Sequence, residues 1–213
     1  MQLHDGYKLV VIGDSITDCD RARPVGEGSA HKLGNGYVAL LQALLQNEHP
    51  ATAIRLVNMG ISGNTIRDLK RRWEDDVIRQ QPDGVIICIG INDVWRQFDV
   101  PWMPEHAVYA DEYEATLHQL VHDTLAWQID VMLLTPFYVE PNEQDPMRAE
   151  MDRYGAIVKQ IGAKNNIKVI DIQAVVNELL EHLYPSIIAA DRVHPGTTGH
   201  LAIAKAILKQ LIV

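Results

Sequence analysis

Cysteine is nearly missing from this chain: Cys19 and Cys88 are the two present among 213 residues. Two thiols build no disulfide framework, and Cys88 lies inside the apolar run Val85-Ile86-Ile87-Cys88-Ile89, where it reads as a small core residue. Positive charge is short as well. Nineteen Lys and Arg stand against 28 Asp and Glu, a formal net charge of −9. That balance excludes a sequence-independent grip on nucleic acid or on an anionic membrane surface, both of which need clustered cations. A neutral or cationic partner suits it. The nine His residues are scattered, with no zinc-finger arrangement and no His-Glu-x-x-His, which argues against a metal. No stretch approaches the roughly 18 apolar residues of a membrane span. The run Leu9-Val10-Val11-Ile12 is too short for the core of a signal peptide, so a cytoplasmic protein is predicted.

What is present is a globular balance, 47% hydrophobic and 22% charged, which leaves enzyme and binding module equally open. The length fits one domain over residues 1–213. Short runs rich in Val and Ile, at residues 9–12, 55–58, 85–89, 131–134 and 168–170, read as parallel strands buried on both faces. Between them, residues 37–46, 66–79, 109–127, 147–163 and 201–211 carry apolar residues at helical spacing. The alternation predicts an α/β fold, a five-stranded parallel sheet with helices on both faces in a three-layer sandwich. No linker, repeat or low-complexity segment interrupts it. Two long connections, residues 91–108 and 137–145, each follow a strand and so lie at the carboxyl edge of the sheet, where open α/β folds bind ligands.

That edge collects the chemistry. The first strand ends in Gly13-Asp14-Ser15, the second in Asn58-Met59-Gly60, the third in Gly90-Ile91-Asn92-Asp93, and Asp191-Arg192-Val193-His194-Pro195 precedes the last helix. Alone, Ser15 reads as a helix N-cap, but a helix start also turns backbone N–H groups toward the serine's own oxygen, as an oxyanion requires. A neutral hydroxyl needs a base, and His194 supplies one. Asp191, three residues earlier, is spaced to accept the Nδ1 proton and leave Nε2 facing the serine. Gly60 offers a backbone N–H unobstructed by a Cβ, and Asn92 an uncharged amide, as oxyanion donors beside the Ser15 N–H. Taken singly, Gly60 could equally serve a turn and Asn92 an Asx-turn. Asp14 reads as a support for the Ser15 turn, bonding backbone N–H groups. Asp18 and Asp93 read as structural, and Asn64 and Asp68 as capping residues around Thr65.

The four blocks, in this order and spanning residues 13 to 195, resemble the signature of the SGNH (GDSL-type) hydrolases. The resemblance implies that Ser15, Gly60, Asn92 and His194 are the residues that give that superfamily its letters, with Asp191 orienting the histidine. It also implies a flavodoxin-like sheet order, 2-1-3-4-5. Ile16 replaces the Leu of the name motif. Gly13-Asp14-Ser15-Ile16-Thr17 lacks the second glycine of a Gly-x-Ser-x-Gly elbow, which disfavours an α/β-hydrolase of the lipase kind. A finer likeness lies in Ile12-Gly13-Asp14-Ser15-Ile16-Thr17-Asp18-Cys19, in Gly90-Ile91-Asn92-Asp93-Val94-Trp95-Arg96-Gln97, and in the Thr135-Pro136-Phe137-Tyr138 block. These are similar to the bacterial SGNH-type acetylxylan esterases, which implies acetylated xylo-oligosaccharides as substrate, no cofactor, and an intracellular homo-oligomer.

Sugar sites pair aromatic platforms with polar groups. Trp95, Trp102 and Tyr138 are the candidate platforms, with Arg96, Gln97, Phe98, Glu140, Asn142 and Glu143 around them. The alternatives are a lysophospholipase or thioesterase using the same triad, and a Mg²⁺-dependent phosphotransfer or phosphate-binding protein built on Asp14 and Asp18. The second leaves Asp191 and His194 idle. Replacing Ser15 by Ala is predicted to leave the far-UV circular dichroism unchanged and to abolish turnover of p-nitrophenyl acetate.

Overall fold

Leu9, Val10, Val11 and Ile12 have no exposed surface at all, which a strand achieves only with neighbours on both edges and cover on both faces. The computed structural model describes residues 1–212 and places this run, β1 (Lys8–Gly13), near the middle of a six-stranded sheet. The other strands are β2 (Gly26–Glu27), β3 (Arg55–Asn58), β4 (Gly84–Cys88), β5 (Asp130–Leu134) and β6 (Lys168–Ile170), in the order β2-β3-β1-β4-β5-β6. The five predicted strands are all parallel and keep the flavodoxin-like order. The sixth corrects the predicted count. β2 runs antiparallel on the β3 edge, Gly26 opposite Asn58 and Glu27 opposite Val57. Two residues carry no readable alternation, and this strand is held from across the sheet, Arg55 donating twice to the Glu27 carboxylate.

Nine α-helices occur among the described residues: α1 (Ser15–Asp18), α2 (Tyr37–Glu48), α3 (Ile66–Asp76), α4 (Ile91–Asp99), α5 (Ala110–Ala126), α6 (Pro146–Asn165), α7 (Ile172–Leu180), α8 (Pro185–Ile188) and α9 (Thr197–Leu208). Seven of them form two packed groups, while α8 packs on α9 and α1 on β1. α2, α9 and α7 form one, and α3, α5, α6 and α4 the other. One apolar core runs from Leu3 to Leu211. Its buried tyrosines find partners, as desolvated hydroxyls must: Tyr113 donates to the Ile89 carbonyl at 2.9 Å and Tyr37 lies 2.8 Å from Thr17 Oγ1.

Two expectations about connections divide. Residues 137–145 carry no helix or strand and end on Asp145, whose carboxylate accepts the Arg148 N–H at the start of α6. Residues 91–108 are not a long loop: Ile91 to Asp99 is helix α4. Its buried residues, Ile91, Asn92, Asp93 and Val94, all fall in one turn, so no repeating stripe announced it. α7 and α8 likewise fill a stretch that carried no prediction.

The carboxyl edge closes tightly around Gly60, which follows β3. A Cβ there would lie 2.6 Å from the Thr17 carbonyl carbon and 2.7 Å from Asp18 Cα, both backbone atoms of α1. Gly60→Ala is therefore predicted to destabilise the protein by about 2–3 kcal/mol, the upper part of the usual cost of overpacking. The check is the midpoint of a urea unfolding curve; an unchanged midpoint would contradict the close approach.

Candidate active site

Asp14, not Ser15, caps α1. Its side chain accepts the Ile16 N–H at 2.9 Å, while its carbonyl accepts the N–H groups of Thr17 and Asp18. Ser15 is the first helical residue, and its own N–H has no acceptor among the described residues. Asp14 thus supports the nucleophile turn as expected, and it also takes the capping position that the sequence reading gave to Ser15. Burial pushes its carboxyl up to about 7, against the pull of the Ile16 N–H and of His194.

Ser15 Oγ lies 2.9 Å from His194 Nε2, and His194 Nδ1 lies 2.6 Å from Asp191 Oδ2. Asp191 Oδ1 accepts two further bonds, from the N–H groups of Val193 at 3.0 Å and His194 at 2.8 Å. Desolvation raises the Asp191 carboxyl, but the imidazole and these two N–H groups outweigh it and hold it below the usual range. An ionised Asp191 makes Nδ1 the protonated nitrogen and leaves Nε2 to accept the serine proton. The His194 and Asp191 side chains are 45% and 48% exposed, so the relay opens to solvent and must be held from behind. Arg192, in the left-handed region at φ 65°, pairs with the Glu140 carboxylate, and the Val139 N–H donates to the Arg192 carbonyl at 2.9 Å. Glu140, which sequence offered to a sugar, is buried in this clamp. A second imidazole, His200, accepts the Tyr37 N–H at Nδ1; burial, then His194, lowers it to about 4, so it stays neutral.

Asn92, in the first turn of α4, is buried; its Nδ2 donates one N–H to the Asn64 carbonyl at 3.0 Å, and the second N–H has no acceptor among the described residues. Gly60 departs from expectation. Its N–H donates to Asn58 Oδ1 at 2.9 Å, and the residue is packed beneath α1, so its glycine identity serves close packing. The unengaged N–H belongs to Gly63, three residues on. Asn64 N–H returns to the Ile61 carbonyl at 3.2 Å, and Gly63 sits at the third position of that turn with φ 81°, open on its Cβ side and with no acceptor for its N–H among the described residues. Ser62-Gly63-Asn64 carries that turn signal in the sequence.

Arg72, on α3, ties the pieces together, donating to the carbonyls of Gly13 and Met59 and to Asn64 Oδ1. Of the two residues expected to cap α3, Asp68 does so in a reciprocal capping box with Thr65, while the Asn64 side chain accepts from Arg72 instead. Of the aromatic candidates, Trp95 meets His194 edge-on, ring centroids 6.0 Å apart. Tyr138 is half-buried, its backbone bonded to Gln173 and adjoining the Arg192 clamp. Trp102 lies past the end of α4, 74% exposed, with no hydrogen-bond or aromatic partner among the described residues. The Mg²⁺ alternative loses its ligands: Asp14 is buried on Ile16, Asp18 is bonded to Ser62 and Arg23, and no three His, Cys, Asp or Glu side chains gather among the described residues.

A hydroxyl already hydrogen-bonded to a carboxylate-oriented imidazole, beside unengaged N–H donors, defines a serine hydrolase of the carboxylic ester class. The chain belongs to the GDSL-like lipase/acylhydrolase family, whose profile matches residues 11–202. It is 58% identical to an acetylxylan esterase of Geobacillus stearothermophilus over 211 residues, 99% of this chain and 96% of that one. The crystal structure of that esterase, Axe2, superposes with a TM-score of 0.96 over 99% and 96% of the two chains, and its catalytic mutants S15A, D191A and H194A have also been solved. LAE5, an alpha/beta hydrolase from the metagenome of Lake Arreo, Spain, is 47% identical, with a TM-score of 0.95 over 97% of this chain and 95% of its own.

Asp191→Asn is predicted to lower kcat on an acetyl ester by about 10³–10⁴-fold with KM changed only a few-fold, since the wrong tautomer then faces Ser15. The stability consequence has a definite sign. A carboxyl lowered in the folded state adds stability above the ordinary carboxylate range, and the contribution fades as pH falls through the lowered value. The variant should therefore show a flatter acid limb in a pH series of thermal melts.

Proposed function

We propose that this protein removes acetyl groups from acetylated xylo-oligosaccharides or closely similar sugars. One observation carries the reading: the Ser15–His194–Asp191 relay is assembled in a chain 58% identical, along 99% of its length, to an acetylxylan esterase. Ser15 Oγ attacks the acetyl carbonyl as its proton passes to His194 Nε2, and Asp191 stabilises the imidazolium. The carbonyl electron pair moves onto oxygen, which the N–H groups of Ser15 and Gly63 and the Asn92 amide receive, each contributing on the order of 3 kcal/mol. Collapse expels the sugar oxygen, which takes the proton from His194. Water then attacks the acetyl-serine with His194 again as base, and acetate leaves with Ser15 restored.

The exposed relay accommodates a bulky sugar as leaving group, and Trp95 beside His194 offers it an apolar face. The negative net charge raises no conflict with a neutral sugar. We assign this work to one domain over residues 1–213, in the cytoplasm and in a homo-oligomer. No helix among the described residues is long and apolar enough to cross a membrane, and both cysteines are free thiols, as a reducing compartment permits.

The test is a parallel assay on acetylated xylo-oligosaccharides and on p-nitrophenyl esters from C2 to C8, with light scattering for the subunit number. A steep preference for C2, and acetate release from the sugar, is the expected result. Rates that climb toward C8 would replace this reading with a lysophospholipase or thioesterase activity on the same triad.

A further inference from the structure

Asp18 ends the helix that begins with the nucleophile, yet the relay makes no use of it. Its side chain is buried, 4% exposed, and one oxygen, Oδ2, collects three donors: the Ser62 N–H at 2.9 Å, the Ser62 hydroxyl at 3.0 Å and Arg23 Nη2 at 2.6 Å. Arg23 is half exposed, so its pairing is screened by water and holds little by itself. The two bonds to Ser62 are different in kind, because Ser62 immediately precedes Gly63 in the turn.

Other groups hold that turn from other elements. Arg72 reaches Asn64 Oδ1 and the Met59 carbonyl from α3, and Asn92 reaches the Asn64 carbonyl from α4. Among these side chains, Asp18 is the one on the nucleophile's own helix. A single carboxylate therefore spans from the element that carries Ser15 to the residue beside Gly63.

We propose that Asp18 is a positioning residue for catalysis, fixing the Ser62–Gly63 segment against the Ser15 helix so that the Gly63 N–H stays aligned on the forming oxyanion. The inference rests on the nucleophile and oxyanion assignments above. A donor misplaced by a fraction of an ångström still admits the flat ester but meets the tetrahedral oxygen poorly, so the effect belongs to kcat and not to KM.

The experiment compares Asp18→Ala, Asp18→Asn and Ser62→Ala with the parent enzyme on p-nitrophenyl acetate. It also measures the affinity of each for a boronic acid that forms a tetrahedral adduct on Ser15. Asp18→Ala should lower kcat by about 30–100-fold with KM within about 3-fold, and boronate affinity should fall in proportion. Asp18→Asn keeps a neutral acceptor for Ser62 and should recover kcat to within about 10-fold of the parent. Ser62→Ala removes the hydroxyl bond alone and should lower kcat by about 3–10-fold. Retention of kcat within about 3-fold in Asp18→Ala, or a fall in kcat without loss of boronate affinity, would overturn the proposal. If Asp18→Ala does not fold, the exposed Ser62→Ala decides, and parental kcat and boronate affinity there would overturn it. A parent enzyme inactive on the ester would sink the assignment of the site itself, before any variant is compared.

Discussion

A strand apolar on both faces cannot lie at a sheet edge without leaving backbone and side chains in the wrong solvent, and β1 is such a strand. Its place between β3 and β4 is the constraint from which the active site follows. Val10 pairs in register with Val57 on one side and Val85 on the other, so the three strands finish at the same edge. Parallel pairing makes those three ends the origins of three connections. The Ser15 helix, the Ser62–Gly63 turn and the Asn92 helix therefore emerge side by side, although 76 residues of sequence lie between Ser15 and Asn92. Burial of Val, Ile and Leu, worth about 1.5–3 kcal/mol per side chain, assembles a polar site it never touches.

The relay itself is exposed, which sets a second requirement. A surface hydrogen bond between two mobile side chains is worth little, so the Asp191–His194 pair needs a loop that does not move. For that loop the structure supplies Glu140, behind the edge, and it steadies the segments around Ser15 and Gly63 in the same way. Asn58 binds the carbonyls of Thr17 and Leu33 with its amide and the Gly60 N–H with its oxygen; Arg72 gathers Gly13, Met59 and Asn64; Glu140 holds Arg192. Each is a polar group whose burial is compensated by bonds to segments that carry chemistry. Order in the open site is thus borrowed from a closed layer beneath it.

Legibility in the sequence tracked how local the cause was. The five parallel strands could be read because their apolar runs are continuous, and Asp191 with His194 because a three-residue spacing lets one turn join them. β2 could not: two residues hold no period, and its partner is β3, far along the chain. α4 was hidden because its buried positions occupy one turn and its far side, Trp95 to Asp99, is only partly covered. The cap of α1 belongs to Asp14 and not to Ser15 as read, because both are good caps and only the backbone geometry assigns the role. Trp102, an aromatic in a connection, carried no signal to separate a sugar platform from a bare surface residue.

The two glycines of Gly60-Ile61-Ser62-Gly63 sharpen the point, because sequence states that a side chain is missing without stating why. At Gly60 the missing atom makes room for the α1 backbone, and the N–H is already engaged. At Gly63 there is room to spare, and the missing atom permits φ 81°, the conformation in which the Asn64 N–H closes the turn on the Ile61 carbonyl and the Gly63 N–H is left unengaged among the described residues. The two demands are coupled. Without the close approach at Gly60, α1 would stand farther from the loop, and the Asp18 carboxylate would no longer reach Ser62; without the left-handed residue at 63, a loop so held would present no free N–H. One glycine sets the distance between the Ser15 helix and the Ser62–Gly63 turn, and the other leaves that turn an unengaged N–H.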